Sequence, residues 1–394
     1  MELPESIQPR VQKLKWFWQD CIAKWRSLSP TLQGSIALGL FALMVASIFG
    51  AIYYTGGFSE KPAVQNLEKR EIVIYTSVDA HIAKPILDQF EQESGITVKM
   101  VTDTEATKTT GLLERLNAER ERPACDIWWS SEPVGTISLA RAGLLDPAAT
   151  RNERDFKTGW PTQLKATDSS WYGCAQRARV IAYNTNKLLK QQAPKTLRDL
   201  LSPTYNGRVG MARPQFGTTR THIAALVALH GDTTTRTYLE ALKANGLKLY
   251  DGNSAVVKAI ADGEIDVGLT DTDDVEAGRR NKWPVDSHFE TADKPNAKIT
   301  GLPSVGTIVI PNTVARIKGG PNPNNSQQLF DYLLSAKLEE ALATSESANI
   351  PIREDLAKKL NRPMPPTVAP LDWDETAAKL PLTDQLINAI FPIQ

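Results

Sequence analysis

From Glu71 onward, short apolar runs alternate with segments whose apolar residues recur every three to four positions. This alternation limits the fold more than any other feature of the chain. Ile72–Tyr75 reads as a strand, and Ile82, Ile86, Leu87 and Phe90 follow at helical spacing until Gly95 stops them. Ile96–Val101 is the next strand, Leu112, Leu113 and Leu116 mark a helix, and Cys125–Trp129 is a third strand before a helix ending at Gly143. Further strands are expected at Arg179–Tyr183, Arg208–Ala212, Leu247–Tyr250, Ile265–Leu269 and Thr307–Ile310, with helices between and after them. Repeated βαβ units predict an α/β protein with parallel, doubly wound sheets. The segment is too long for one such sheet, so two α/β lobes are expected. Gly319–Asn325 reads as a loop inside the second half, because helical spacing resumes at Phe330, Leu333 and Leu334.

The first 60 residues obey different rules. No charged side chain occurs from Ser27 through Ser59, and Ser35–Tyr54 is a continuous apolar or small-residue run. At about 1.5 Å per residue such a run spans a hydrocarbon core of about 30 Å, and Tyr53 and Tyr54 end it with interfacial rings. A cleaved signal peptide is the competing reading, but the run exceeds the usual h-region and no clear Ala-x-Ala site follows. The leader carries Arg10, Lys13, Lys15, Lys24 and Arg26 against Glu2, Glu5 and Asp20, which predicts a cytoplasmic amino terminus. The expected organisation is a leader (1–34), one transmembrane anchor (35–54), a tether (55–69) and an exported part. The protein would sit in the bacterial cytoplasmic membrane, single-pass, with its bulk facing the periplasm or cell exterior. Val11, Leu14, Trp18, Ile22 and Trp25 in the leader also fit a short amphipathic helix.

Composition excludes several function classes. The 45 basic residues balance the 45 acidic ones, which gives no reason to expect a nucleic-acid partner. Three cysteines make no disulfide framework, although Cys125 and Cys174 could pair in an oxidising compartment. Signatures of phosphate-loop, serine-hydrolase, zinc-protease and dithiol chemistry are absent, and no enzyme is expected.

In open α/β sheets, ligands bind beyond the carboxyl ends of the strands. Here those loops hold Thr76, Ser77 and Asp79, then Asp103, Glu105 and Lys108, then Ser131 and Glu132. Later loops hold Arg213 with Gly217, Thr218 and Thr219, then Asn253, then Asp271, Asp273 and Asp274. Hydroxyls, carboxylates and glycines suit a small polar ligand, although Ser, Thr and Asp also favour such places as helix N-caps. Gly217–Thr219 opens a helix with free N–H groups and two hydroxyls, an oxyanion site. The stretch from Asp262 to Glu276 holds seven acidic residues and no basic one. Carboxylates crowded at Asp271, Asp273 and Asp274 repel unless a cation neutralises them, a solvated acidic loop being the plainer alternative. The four histidines show no ligand spacing; His81 and His222 lie nearest the strand-end loops, and His230 before Gly231 reads as structural.

Six segments, taken together and in order, carry a resemblance: EIVIYTSVDAHIAKPILDQFEQESGITVKMV, ERPACDIWWSSE, WYGCAQRARVIAYNT, NGRVGMARPQFGTT, AVVKAIADGEIDVGLTDTDD and KGGPNPNNSQQLFDYLLSAKLEEAL with SANIPIRED. The chain resembles the extracellular solute-binding proteins of ABC importers, closest to the ferric-iron-binding branch with the type II periplasmic-binding-protein fold. The resemblance implies two lobes, 70–175 with 305–394 and 176–304, crossed near Tyr172–Ala178 and Ser304–Val309. It also implies capture of a ligand by lobe closure. Partners would be an ABC permease and its ATPase. Relatives bind metal through a histidine at the first strand end, a carboxylate on the second loop and a tyrosine pair after the GEIDVGL-like strand. Here those positions fall at Asp79 with His81 nearby, near Gly111 with Glu105 nearby, and in Thr272–Asp274, so the tyrosines are missing. Gly217–Thr219 matches the place where relatives hold a synergistic anion.

Two ligand chemistries fit the loops. An oxygen-only set of Asp79, Glu105, Glu132, Asp271, Asp273 and Asp274 suits a hard metal ion such as Fe3+ with an anion beside it. Lys108, Arg177, Arg213, Thr218 and Thr219, with Thr76, Ser77, Ser131, Gly217 and Asn253 around them, suit a phosphorylated or carboxylated organic solute. Rivals of another class are a metal-dependent hydrolase and an anchored sensor domain.

Overall fold

In the computed structural model, residues 16, 19–20, 22–33, 39, 43–47, 70–103, 109–294, 301–362 and 364–392 are described. The chain divides into two units, Met1–Lys69 and Arg70–Gln394. In the first unit, helical turns hold Lys24 on Asp20 at 2.9 Å, and Gln33 Nε2 donates to the Trp25 carbonyl at 2.9 Å. Most of the expected anchor and all of the tether lie outside the described residues. Among the described residues, no helix is long and apolar enough to cross a membrane.

The second unit begins with β1 (Glu71–Thr76), α1 (Ala80–Ser94), β2 (Thr97–Thr102), α2 (Thr110–Ala118), β3 (Ile127–Ser130), α3 (Pro133–Arg141) and β4 (Leu145–Asp146). Next come β5 (Tyr172–Asn184), β6 (Val209–Ala212), α4 (Gly217–Ala244), β7 (Lys248–Tyr250), α5 (Asn253–Ala261), β8 (Val267–Asp271), α6 (Thr272–Arg280) and β9 (Val285–Phe289). The chain then returns through β10 (Val309–Ile317), α7 (Pro323–Leu333), α8 (Ala336–Thr344), α9 (Glu354–Lys359), α10 (Trp373–Ala378) and α11 (Leu380–Ile390).

The strands order as β2-β1-β3-β10-β5-β8-β6-β7, with β4 on β10 and β9 on β5. Two lobes share this path. In the first, β1 pairs in parallel with β2 and β3; in the second, β6 pairs in parallel with β7 and β8. The strands joining them are antiparallel to their neighbours, which corrects the expectation of purely parallel sheets. Chain direction explains this: β5 leaves the first lobe and β10 returns to it, so they run opposite ways. β5 pairs with β10 up to Ala178 and with β8 from Arg179 onward. All thirteen of its residues are buried. Only its second half reads as a strand in sequence, because Gln176 and Arg177 interrupt the apolar run.

Each lobe has its own core. Ile74, Ile86, Phe90, Trp129, Phe330 and Leu338 pack in the first, and Val180, Val256, Ile260 and Val275 in the second. Fully burying each such large apolar side chain stabilises by about 1.5–3 kcal/mol. A third cluster carries Trp128 and Ile137 of the first lobe together with Ile223 and Leu226 of α4 and Ile387 of α11. Cys125 and Cys174 are both free and buried, so the disulfide left open by the sequence is not formed. α7 starts at Pro323, so the expected loop at Gly319–Asn325 is shorter by its last three residues.

Candidate functional site

Four helices begin at one cavity of about 560 Å3 between the lobes: α1 after Asp79, α4 after Phe216, α5 after Gly252 and α6 after Asp271. Their unpaired N–H groups and aligned dipoles place partial positive charge around the cavity. Asp79 and Asp271 stand in N-cap positions, yet neither makes a side-chain capping bond to its own helix. Glu132 behaves differently. Its carboxylate accepts from Val134 N at 2.7 Å and Gly135 N at 3.0 Å, capping α3, and Thr221 Oγ1 donates to it at 2.9 Å. Burial pushes the Glu132 carboxyl up, partly offset by the Thr221 hydroxyl. Glu132 is thereby a cap and a tie to α4, standing apart from the other carboxylates.

Asp271, Asp273 and Asp274 bring carboxylate oxygens within 4.8 Å of one another. Two guanidiniums on the crossing strand meet them. Arg179 Nη1 bonds Asp271 Oδ1 at 2.7 Å, both side chains almost fully buried, and Arg177 Nη1 lies 3.0 Å from Asp273 Oδ2. The other Asp271 oxygen accepts from Thr218 Oγ1 at 2.5 Å and Asn253 Nδ2 at 2.8 Å. Asp271 thus ties β5, α4 and α5 to the end of β8, while Asp273 and Asp274 line the cavity beside it. Burial opposes the charge on Arg177, but Asp273, Asp271, Asp79 and Asp274 more than offset it and hold its pKa above the usual range. Two guanidiniums face these four carboxylates, and Asp103, Asp251, Glu346 and Arg213 also line the cavity.

The first-lobe wall carries hydroxyls alongside Asp79, Asp103 and Glu346. Ser77 Oγ lies 3.2 Å from Ser131 Oγ and accepts from Ser131 N at 2.9 Å, fixing both hydroxyls at the end of β1 and β3. Thr76 is fully buried, its hydroxyl accepting from Val78 N at 3.1 Å, and does not line the cavity. Gly217, Thr218, Thr219 and Asn253 do line it, as do Asp79, Ser77, Ser131 and Arg177. Gly217 has φ 56°, a backbone that lets the α4 start turn toward the cleft. Glu105 and Lys108 lie outside the described residues. Arg213 lines the cavity while bonding Asp251 at 3.1 Å.

Some participants are not legible in sequence. Arg179 looks like an ordinary strand residue; its partner is 92 residues away. His222 does not line the cavity: it is buried behind Arg179, whose Nε donates to His222 Nδ1 at 3.3 Å. Burial and the Arg179 charge push the His222 pKa well below its usual value. Asn312 of β10 accepts from Arg177 Nη2 at 2.9 Å and donates to Asn349 Oδ1 at 2.8 Å, joining the crossing strands beneath the site.

Two α/β lobes joined by crossing strands, with polar helix starts and strand ends converging on one cleft, define a binding protein of the periplasmic type. The profile of the family described as bacterial extracellular solute-binding protein matches residues 138–379, and the chain belongs to that family. It is a family of transport proteins rather than enzymes. The chain is 27% identical over 293 residues to the major ferric iron-binding protein of Neisseria meningitidis serogroup B, covering 74% of this chain and 83% of that one. It is 25% identical over 302 residues to iron uptake protein A1 of Synechocystis, covering 74% and 79%. The solved ferric binding protein from Campylobacter jejuni superposes with a TM-score of 0.70 at 19% identity, covering 81% of this chain and 99% of that one.

Proposed function

We propose that this chain is a membrane-anchored extracytoplasmic solute-binding protein that hands ferric iron with a companion anion to an ABC permease and its ATPase. The relatives named for ferric iron binding and for iron uptake suggest the cargo. One observation in this chain carries the reading: a net-negative carboxylate cluster and an anion-accepting helix start face the same cleft. Asp273, Asp274 and Asp79 would supply hard oxygen ligands to the cation, and the Gly217–Thr219 N–H groups and hydroxyls would hold the anion. With the lobes closed the Ser77–Ser131 wall would stand against this set, and no covalent step is involved.

The anchor rests on the uncharged run Ser27–Ser59 and places the second unit outside the cytoplasm. The lobe limits, 70–175 with 305–394 and 176–304, fit the change of β5 partner between Ala178 and Arg179.

A second reading, a phosphorylated or carboxylated organic solute, is favoured by two donors. Arg177 Nε and Arg179 Nη2 are buried with no hydrogen-bond partner among the described residues, and a cavity of about 560 Å3 holds more than an ion. A thermal-shift screen of the full chain separates the two. Ferric citrate at about 100 times its dissociation constant should add about 2.7 kcal/mol, a shift of several degrees. A shift from sugar phosphates alone selects the organic solute, and no shift from ferric citrate contradicts the iron reading.

A further inference from the structure

Away from the crossing strands, the two lobes also touch at the mouth of the cleft. α6 of the second lobe presents Glu276 and Arg280; the end of α8 and the segment after α9 present Ser345 and Arg362 from the first. Arg280 Nη1 donates to the Ser345 carbonyl oxygen. That oxygen closes the C-terminus of α8, where partial negative charge favours a cation. Arg362 Nη2 lies 3.7 Å from Glu276 Oε1.

Each group is also rooted on its own side. Arg362 Nε donates to the Ala343 carbonyl at 3.3 Å. Glu276 has Arg280 Nε at 3.7 Å and Arg279 Nη1 at 3.6 Å on the same helix. Parting these two rim contacts therefore strands neither group. Glu276 keeps two cations and Arg362 keeps its carbonyl. The contacts stand at the rim, since Ala277 lines the cavity from one side and Glu346 and Ser347 from the other. Glu276 and Arg362 are each 24% exposed, open enough to water for the pair to break and re-form.

We propose that Glu276, Arg280, Arg362 and the Ser345 carbonyl form a latch that holds the lobes closed over the cleft and whose rupture releases the cargo. The latch depends on the two-lobed architecture and not on which cargo is bound. It works as a two-state contact: made across the mouth in the closed form, and lost in the open form, where only the contacts within each lobe are kept.

The test is the distance between spin labels on the full chain in detergent, at Gln92→Cys in the first lobe and Gln191→Cys in the second, both exposed positions, with Cys21→Ser. Arg280→Gln with Arg362→Gln should move the population toward longer distances, lowering the closed-to-open ratio about tenfold, which corresponds to about 1.4 kcal/mol. Arg280→Lys with Arg362→Lys should retain most of the closed form. Adding 1 M salt to the labelled parent, which needs no further substitution, should shift it the same way as the glutamine pair by screening. Distance distributions that superimpose for the parent and the glutamine pair, and for the parent with and without salt, would overturn the latch.

Discussion

At Asp271 a single buried carboxylate accepts from Arg179, Thr218 and Asn253, and so sets the positions of groups on three other elements. The run of acids was legible because clustered like charges in one loop need an explanation. Of the cations that answer them, Arg177 was legible only as a holder of an organic anion and Arg179 not at all, since both come from a strand whose polar residues look like breaks in a pattern. His222 belongs to this network and makes it pH-sensitive. Its folded pKa is depressed by burial and by Arg179, so the unfolded chain takes up a proton that the folded protein refuses. The stability it supports is present above about pH 6.5 and is lost as pH falls below that value, by up to about 1.4 kcal/mol per unit. Urea unfolding at pH 7.5, 6.0 and 5.0 should show this fall, and His222→Gln should flatten it. An equally steep fall in the variant would assign the effect to other groups.

Among the elements, α4 shows how one residue shapes a helix. Its first half points its amino end at the cleft, and Tyr238, Leu239 and Leu242 of its second half join Ile223 and Leu226 in one cluster past the break at Gly231 (φ 79°, ψ 166°). A helix end before Gly231 was readable from the glycine itself. A Cβ there meets no atom within 4 Å, so Gly231→Ala carries a backbone cost alone, about 1–3 kcal/mol. Urea unfolding measures it, and a loss below about 0.5 kcal/mol would mean the kink is not required. Most strands and helices of the alternating pattern could be placed from sequence because each lobe's parallel strands are short apolar runs between amphipathic helices. β9 and the second half of β10 escaped. β9 is half-buried and mixed in character, and β10 holds Pro311, Asn312 and Arg316 within a buried strand. Pairing, of β9 with β5 and of this part of β10 mainly with β3 and β4, makes them strands, and not residue type.

For the whole molecule, function follows from where the elements begin. Four helix starts and two hydroxyl-bearing strand ends face one cavity between the lobes, while α10 packs against α3 and α11 against α4. Ser77, Ser131 and the α4 start were placed at the cleft by the rule that ligands sit beyond strand carboxyl ends. The exceptions, Thr76 and Glu132, share those loops, but their local backbone bonds turn them away from the cavity. Capture of a cation by Asp273 and Asp274 with an anion at Gly217–Thr219, as proposed, can be measured by isothermal titration of the full chain with ferric citrate. The parent should bind saturably, and Asp273→Asn with Asp274→Asn should bind at least tenfold more weakly; equal affinity in the two proteins, or no binding by the parent, would contradict the proposed site.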